Sequence, residues 1–397
     1  MRKNSSQATN YASNKSAYAL LLCVICLFAI GLIMVFDTTA AEAIDRLSPE
    51  LSHAAFYRQI LYAFIGLICG SICYRMGYHQ VLRVAPILLI GCCFVLALVL
   101  IPGVGKQING ARRWIEILGF SFQPSEFAKI VIPLFYIQIL KEQMSLSQFL
   151  KVLGLIAIPL GLILLEPDNG TVAIILVTMM ALFFLSRIRW VYWALPVMAM
   201  CITGSAVGLN MPHVRSRLQV YLNPELDLRG KGHQPYQAKI AVGSGQLWGR
   251  GPGESLQKRG YLPEARSDYI AAIFAEEFGF LGIFSLLILL MLITYFGFRI
   301  ARHACDRSGF YTASILTFLL SFQAFLNLGV VSGLLPSKGT NLPFFSHGGS
   351  SLIASTMALS LILNVGREKK THDTTKKSIT RRRGDGRAHL SRPGDRN

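Results

Sequence analysis

AYALLLCVICLFAIGLIMVF, residues 17–36, holds twenty residues without a charge or a proline. A helix of about 20 apolar residues, rising about 1.5 Å per residue, reaches across the roughly 30 Å hydrocarbon core of a bilayer. The run is too long for a cleavable signal peptide, and no small-residue cleavage site follows it. Working outward, comparable runs recur at 56–74, 85–101, 125–140, 149–165, 169–186, 190–209, 268–298, 309–334 and 349–366. The fourth and fifth are the least regular, with Glu126, Lys129, Pro133 and Pro159 inside them. The expected fold is an all-α polytopic membrane helix bundle of about ten transmembrane helices, with one large extracytoplasmic loop at about 210–267. An N-terminal tail (1–16) precedes the membrane domain (17–366), and a basic tail (367–397) follows it.

Composition agrees. Of 397 residues 52% are apolar and 15% charged, against about a quarter charged in soluble domains. Most of the eight cysteines lie in apolar runs, where they act as small hydrophobes rather than as a disulfide framework. The formal charge is nevertheless +18. The 367–397 tail carries +7, and the short loops on its side are basic. The positive-inside rule therefore puts both termini in the cytoplasm. The tail is expected to be disordered; no nucleic-acid fold accompanies its charge, so nucleic acid is not an expected partner. The outer loop at 210–267 runs against the rule with +5. A basic outer surface suits an anionic ligand.

Three outer segments carry candidate chemistry. In the first, residues 102–129, Arg112 and Arg113 precede a stretch (Trp114, Ile115, Ile117, Leu118, Phe120, Phe122) expected to be interfacial or re-entrant. Glu126 and Lys129 stand three apart on one helix face. A Lys inside a span needs a cavity or an ion partner, and the pair reads equally as a bundle tie or as part of a site. In the second, the glycines Gly243, Gly245, Gly249, Gly251 and Gly253 match no phosphate-loop spacing and read as turns. Asp268, two residues after Arg266, stands where the loop enters the next span. It reads either as a helix cap, a role Ser267 could fill, or as a catalytic carboxylate. Glu276 and Glu277 follow. In the third, residues 327–351, Pro336, Gly339 and Pro343 break the ninth span around Lys338, and Gly348-Gly349 opens the tenth helix. Broken helices at membrane depth line cavities. No second His or carboxylate is spaced to join His347, so no structural metal is expected in this chain. Cations around one acid at the outer boundary suit a lipid-linked diphosphate: Arg and Lys hold it and stabilise its departure, and one general base suffices. GLICG, residues 66–70, is a small-xxx-small motif that reads as packing within the bundle.

Read together, the motifs resemble the SEDS family of division, elongation and sporulation proteins (FtsW, RodA, SpoVE). The resemblance runs from about 17 to 366 and rests on GARRWI (110–115), QPSEFAK (123–129), EPDNGT (166–171), YLPEARSDYI (261–270) and N-x5-GLLPSKG…PFFSHGGSS (327–351), in the family's order. The first, third and fourth resemble the FtsW branch most. The resemblance implies a peptidoglycan glycosyltransferase that polymerises lipid II into a growing glycan strand at the outer membrane face, with inversion. It implies Asp268 as the base that activates the acceptor hydroxyl. Arg113, Lys129 and Lys338 would hold the diphosphate, and Glu126 and Ser346 complete the expected substrate-binding set. It also implies septal localisation, with a class B penicillin-binding transpeptidase and divisome proteins as partners. The motifs require no cofactor; a divalent cation is compatible with the diphosphate. The chain departs from the pattern at Arg266-Ser267-Asp268-Tyr269, His347 and Gln246, and Arg266 is expected to lower the pKa of Asp268. A lipid-linked precursor flippase, a RodA-like elongation polymerase and a pure scaffold are the competing readings.

Overall fold

The computed structural model describes residues 2–45, 49–108, 111–117, 119–140, 144–196, 198, 221, 227, 230, 232–337 and 339–368. In chain order the elements are α1 (Arg2–Asp45), α2 (Pro49–Met76), α3 (Tyr78–Leu100), β1 (Gly105–Ile108), β2 (Ala111–Ile117), β3 (Phe120–Phe122), α4 (Pro124–Ile139), α5 (Leu146–Leu165), α6 (Asn169–Leu185), α7 (His233–Ser244), α8 (Ile270–Arg302), α9 (Arg307–Val331) and α10 (Gly349–Arg367). Seven of these (α1, α2, α3, α5, α8, α9 and α10) contain stretches long and apolar enough to cross a membrane. α4 and α6, with 16 and 17 residues, are apolar but shorter. The expected span at 190–209 lies mostly outside the described residues, as do most of 210–231 and the basic tail beyond 368.

Charged and polar side chains set the helix limits. Ser145 starts α5 with a reciprocal capping box to Gln148. Asp168 caps α6, and Asp306 caps α9 through Gly309 N–H. α9 and α10 form the centre: 67% and 61% of their most apolar stretches are buried, against 17% for α8. Leu22, Phe64, Leu67, Ile87, Ile90 and Met291 point outward, as lipid-facing side chains do. Gly66 and Gly70 face α10; a Cβ at Gly70 would stand 2.5 Å from Ser360 Oγ. The small-residue motif is therefore a contact within the bundle. Asn364 on α10 accepts Tyr78 N–H and donates to the Tyr74 carbonyl, tying the α2–α3 corner to the same helix. The seven described cysteines are all free.

Two features depart from the sequence reading. The stretch expected to be interfacial or re-entrant is a three-stranded antiparallel sheet in the order β1-β2-β3, a small addition to an otherwise helical fold. α8 is broken at Gly279 (φ 65°, ψ −161°). The loop before it repairs the break: Arg250 and Gly251 N–H donate to the Glu276 and Glu277 carbonyls, and Phe280 and Leu281 N–H donate to the Gln246 and Leu247 carbonyls. Four backbone groups flanking the break, the Glu276 and Glu277 carbonyls and the Phe280 and Leu281 amides, find partners in the loop. The approach is tight enough to exclude side chains, since a Cβ at Gly249 would lie 2.1 Å from the Glu277 carbonyl oxygen. Gly249, Gly251 and Gly253 are turn glycines with positive φ, as read; Gly243 instead lies in α7 and Gly245 is its C-cap.

Candidate functional site

The site is built where α4, the α5–α6 corner, the start of α8 and the loop between α9 and α10 meet. Arg113 is the bulged residue of β2: Lys106 pairs with Trp114 and Gln107 with Arg112, so Arg113 has no cross-strand partner. A bulge re-aims its side chain, and this one points at the α5–α6 corner. The Arg113 guanidinium donates to the Glu166 and Pro167 carbonyls and lies 3.5 Å from Asp168 Oδ1. Asp168 also accepts from Thr171 Oγ1 (2.8 Å), Ser125 Oγ (3.2 Å) and Gln123 Nε2 (3.3 Å). One buried carboxylate thus joins three sequence motifs. Neither Glu166 carboxylate oxygen has a hydrogen-bond partner among the described residues. Burial first, and then Asp168, push the Glu166 carboxyl up to about 8, with Arg113 opposing.

One turn into α4, Lys129 is 2% exposed and its Nζ meets Glu126 Oε1 at 2.7 Å. The spacing of three places them on one face, as expected. Gln323 of α9 and Ser355 of α10 line the same narrow crevice. An ammonium this deep is held only because its charge is paired.

Asp268 is not a cap. The N-cap of α8 is Tyr269, with no side-chain cap bond, and Ser267 Oγ turns away to Glu264 Oε2 at 2.7 Å. Asn327 of α9 fixes the Asp268 turn by donating to the Asp268 carbonyl (2.8 Å) and to the Thr340 carbonyl (2.6 Å). Gly339 lies directly behind the carboxylate; a Cβ there would stand 2.9 Å from Asp268 Oδ2. Burial, then Glu264, then Glu126 raise the Asp268 carboxyl to about 7. This corrects the expectation that Arg266 lowers it: two carboxylates and poor solvation govern the site, and proximity in sequence to a cation does not.

The α9–α10 loop is folded by its own side chains. Ser346 is buried; its hydroxyl accepts from Leu342 N–H (2.9 Å), and its carbonyl accepts from Gln59 Nε2 (3.3 Å). His347 N–H donates to the Arg266 carbonyl, linking this loop to the turn before Asp268. Burial, Arg266 and Arg58 hold the His347 ring down at about 4, in its neutral form. Lys338 lies outside the described residues. Of the sequence-predicted set, Asp268 and the Glu126–Lys129 pair come together electrostatically. Arg113 is anchored one motif away, and Ser346 is built into its loop.

A buried ionic cluster escaped the sequence reading. Lys258 Nζ sits 2.6 Å from Glu277 Oε1 and 2.7 Å from both Asp37 oxygens. Glu276, fully buried, accepts from Ser255 Oγ (2.5 Å), Leu256 N–H (3.1 Å), Gln257 N–H (3.2 Å) and Arg250 Nη1 (3.3 Å). The cluster straps residues 250–258 of the loop before α8 to α8 and to the end of the α1 span. The available signal was two adjacent acids inside an apolar helix, which need partners.

The family profile described as cell cycle protein, covering FtsW, RodA and SpoVE, matches residues 18–371. Stage V sporulation protein E of Bacillus subtilis (strain 168) is 37% identical over 364 residues, covering 89% of this chain and 98% of that protein. The probable peptidoglycan glycosyltransferase FtsW of Legionella pneumophila is 35% identical over 357 residues, 87% of this chain and 89% of that protein. Among solved structures, a chain of a peptidoglycan synthase complex, described as coordinating polymerization and crosslinking, superposes with a TM-score of 0.72 at 27% identity. It covers 89% of this chain and 98% of that one. The rod shape determining protein RodA of Thermus thermophilus superposes with a TM-score of 0.65 at 26% identity and the same coverage.

Proposed function

The chain belongs to the FtsW–RodA–SpoVE family of cell cycle proteins, a multi-pass membrane family, and from that premise we propose that it is a peptidoglycan glycosyltransferase polymerising lipid II during septal wall synthesis. The observation that carries the mechanism is the Asp268 carboxylate, poorly solvated, raised to about 7 and backed by Gly339 where the outer loop meets the membrane domain. A base poised near the working pH combines availability with driving force for proton transfer.

Asp268 accepts the proton of the acceptor sugar's 4-hydroxyl as that oxygen attacks C1 of the lipid-linked donor. The C1–O bond to the diphosphate breaks on the opposite side, and the lipid diphosphate leaves with the electron pair, inverting C1. Lys129 and Lys338 neutralise the departing diphosphate. Arg113 acts from the Asp168 corner, either by turning toward the diphosphate or by holding the corner in shape. Glu126 pairs with Lys129 and, after burial and Glu264, helps raise the Asp268 carboxyl. Ser346 keeps the α9–α10 loop folded behind the site. A divalent cation on the diphosphate is compatible with this scheme, and a chelator arm in the assay decides whether one is needed.

In this reading both termini, with the basic tail 367–397, lie in the cytoplasm, and the loop at about 210–267 lies outside. The partner is a class B penicillin-binding transpeptidase of the divisome, in line with the synthase complex to which the fold is similar. The deciding experiment combines purified protein, the cognate transpeptidase and lipid II, with glycan strands resolved on a gel. Wild type is expected to make polymer and Asp268→Asn none. Equal polymerisation by both would remove Asp268 as the base; lipid movement across liposomes without any polymer would favour a flippase.

A further inference from the structure

At the opposite end of the bundle, where the chain enters its basic tail, three segments far apart in sequence bring metal-ligating side chains together. His79 begins α3, Asp306 caps α9, and Glu368 follows α10. One ligand atom from each lies within 4.8 Å of the others. His79 Nε2 stands 3.1 Å from Glu368 Oε1. The Tyr78 hydroxyl is placed between the two acids, 2.7 Å from Asp306 Oδ1 and in contact with Glu368 Oε2.

A protonated His79 beside Glu368 would be an ordinary surface ion pair. It does not account for the third member. A phenol has one proton to give, yet two carboxylates face the Tyr78 oxygen. Whichever acid lacks that proton meets oxygen lone pairs, a repulsive contact that a shared cation relieves. The donor set of one imidazole, two carboxylates and a phenol oxygen is suited to a borderline divalent ion. Ligands about 2.0–2.2 Å from a tetrahedral zinc lie roughly 3.3–3.6 Å from one another. The ligand atoms of His79, Asp306 and Glu368, all within 4.8 Å of one another, lie close to that arrangement. The backbone is also fixed for the purpose. Asp306 Oδ1 is held by Gly309 N–H at 2.8 Å. The Glu368 carbonyl accepts from Cys305 Sγ at 3.1 Å.

We propose that Tyr78, His79, Asp306 and Glu368 form a binding site for a zinc-class divalent cation. The ion would join the α2–α3 corner, the α8–α9 corner and the end of α10. It would set the point from which residues 369–397 depart, remote from Asp268 and independent of the transferase reading.

The test uses the full-length protein in detergent, stripped with EDTA and titrated with Zn²⁺ by calorimetry, with Co²⁺ absorption as a second readout. Wild type is expected to bind one equivalent with micromolar affinity or tighter. His79→Ala and Glu368→Gln should each weaken binding by more than about 100-fold, beyond what loss of an outer-shell partner costs. Asp306→Asn keeps an acceptor for Gly309 while removing the charge, so it should weaken binding in a chain whose α9 cap survives. The proposal fails if wild type binds no Zn²⁺, or binds it no more tightly than His79→Ala; the cluster is then an ion pair only.

Discussion

If Asp268 is the general base, the rate of polymerisation must follow its ionisation. The carboxyl is raised from the ordinary aspartate range to about 7. The sign is that of a group that binds its proton more readily in place than in water, so the reactive carboxylate is lost as pH falls below 7. With a pKa of 7 the ionised fraction is about 0.9 at pH 8 and about 0.1 at pH 6, so kcat/KM should fall about tenfold between them. An ordinary Asp, with a pKa of about 3.9, would be ionised throughout and give a flat profile. The assay is the initial rate of glycan formation from sub-saturating lipid II at constant ionic strength, from pH 5.5 to 8.5. Glu126→Gln supplies the internal check. It removes one of the two carboxylates that raise Asp268 and frees the Lys129 charge, so the acid limb should move to lower pH. A rate that changes less than about twofold between pH 6 and 8 would refute the assignment of Asp268 as a base in a desolvated site. So would a limb that Glu126→Gln leaves in place.

Gly339→Ala puts a Cβ 2.9 Å from Asp268 Oδ2 and should lower kcat by about tenfold with the fold retained, read by polymer yield and monodispersity. Lys258→Met leaves the Glu277 carboxylate buried without its cation and should cost about 3–5 kcal/mol in detergent unfolding, while Lys258→Met with Glu277→Gln and Asp37→Asn should recover most of it. Glu166, raised to about 8, holds a proton in the folded chain that the unfolded chain releases near pH 4.5. Its penalty is therefore absent at low pH, grows as pH rises and is complete above 8. Glu166→Gln should be indistinguishable from wild type in thermal stability at pH 4.5 and more stable at pH 8, by at most about 4 kcal/mol.

Much of the fold is legible in the sequence because lipid imposes one requirement, about 20 apolar residues per crossing, that can be counted along the chain. The Glu126–Lys129 contact is legible for a similar reason, since helical spacing fixes which residues meet. Four things were hidden. The β1-β2-β3 sheet was, because ARRWIEI and FSF are too short, and ARRWIEI too irregular in its alternation of polar and apolar residues, to distinguish a strand from an interfacial segment. The direction of the Asp268 shift was, because burial, its largest cause, exists only in the folded chain, and Glu126, over a hundred residues away in sequence, adds to Glu264 in space. The Lys258 cluster was, because its partners are 221 and 19 residues distant and only the folded loop brings them together. The Arg113 bulge belongs with these: nothing in a one-dimensional pattern marks the residue that a strand leaves unpaired.

The break in α8 sets how far from the lipid the reaction takes place. Residues 280–302, beyond Gly279, reach about 34 Å as a helix, close to the hydrocarbon thickness. If that part fills the core, Asp268 stands about 15 Å further along, at headgroup level but screened from water by the protein around it. The donor's diphosphate can then stay at its natural height. Hydrolysis becomes the competing hazard, because a carboxylate able to deprotonate a sugar hydroxyl can also activate water. Keeping water away falls to the protein packed around Asp268, the Gly339 backbone among it, and loosening that packing should divert turnover from polymer to free disaccharide.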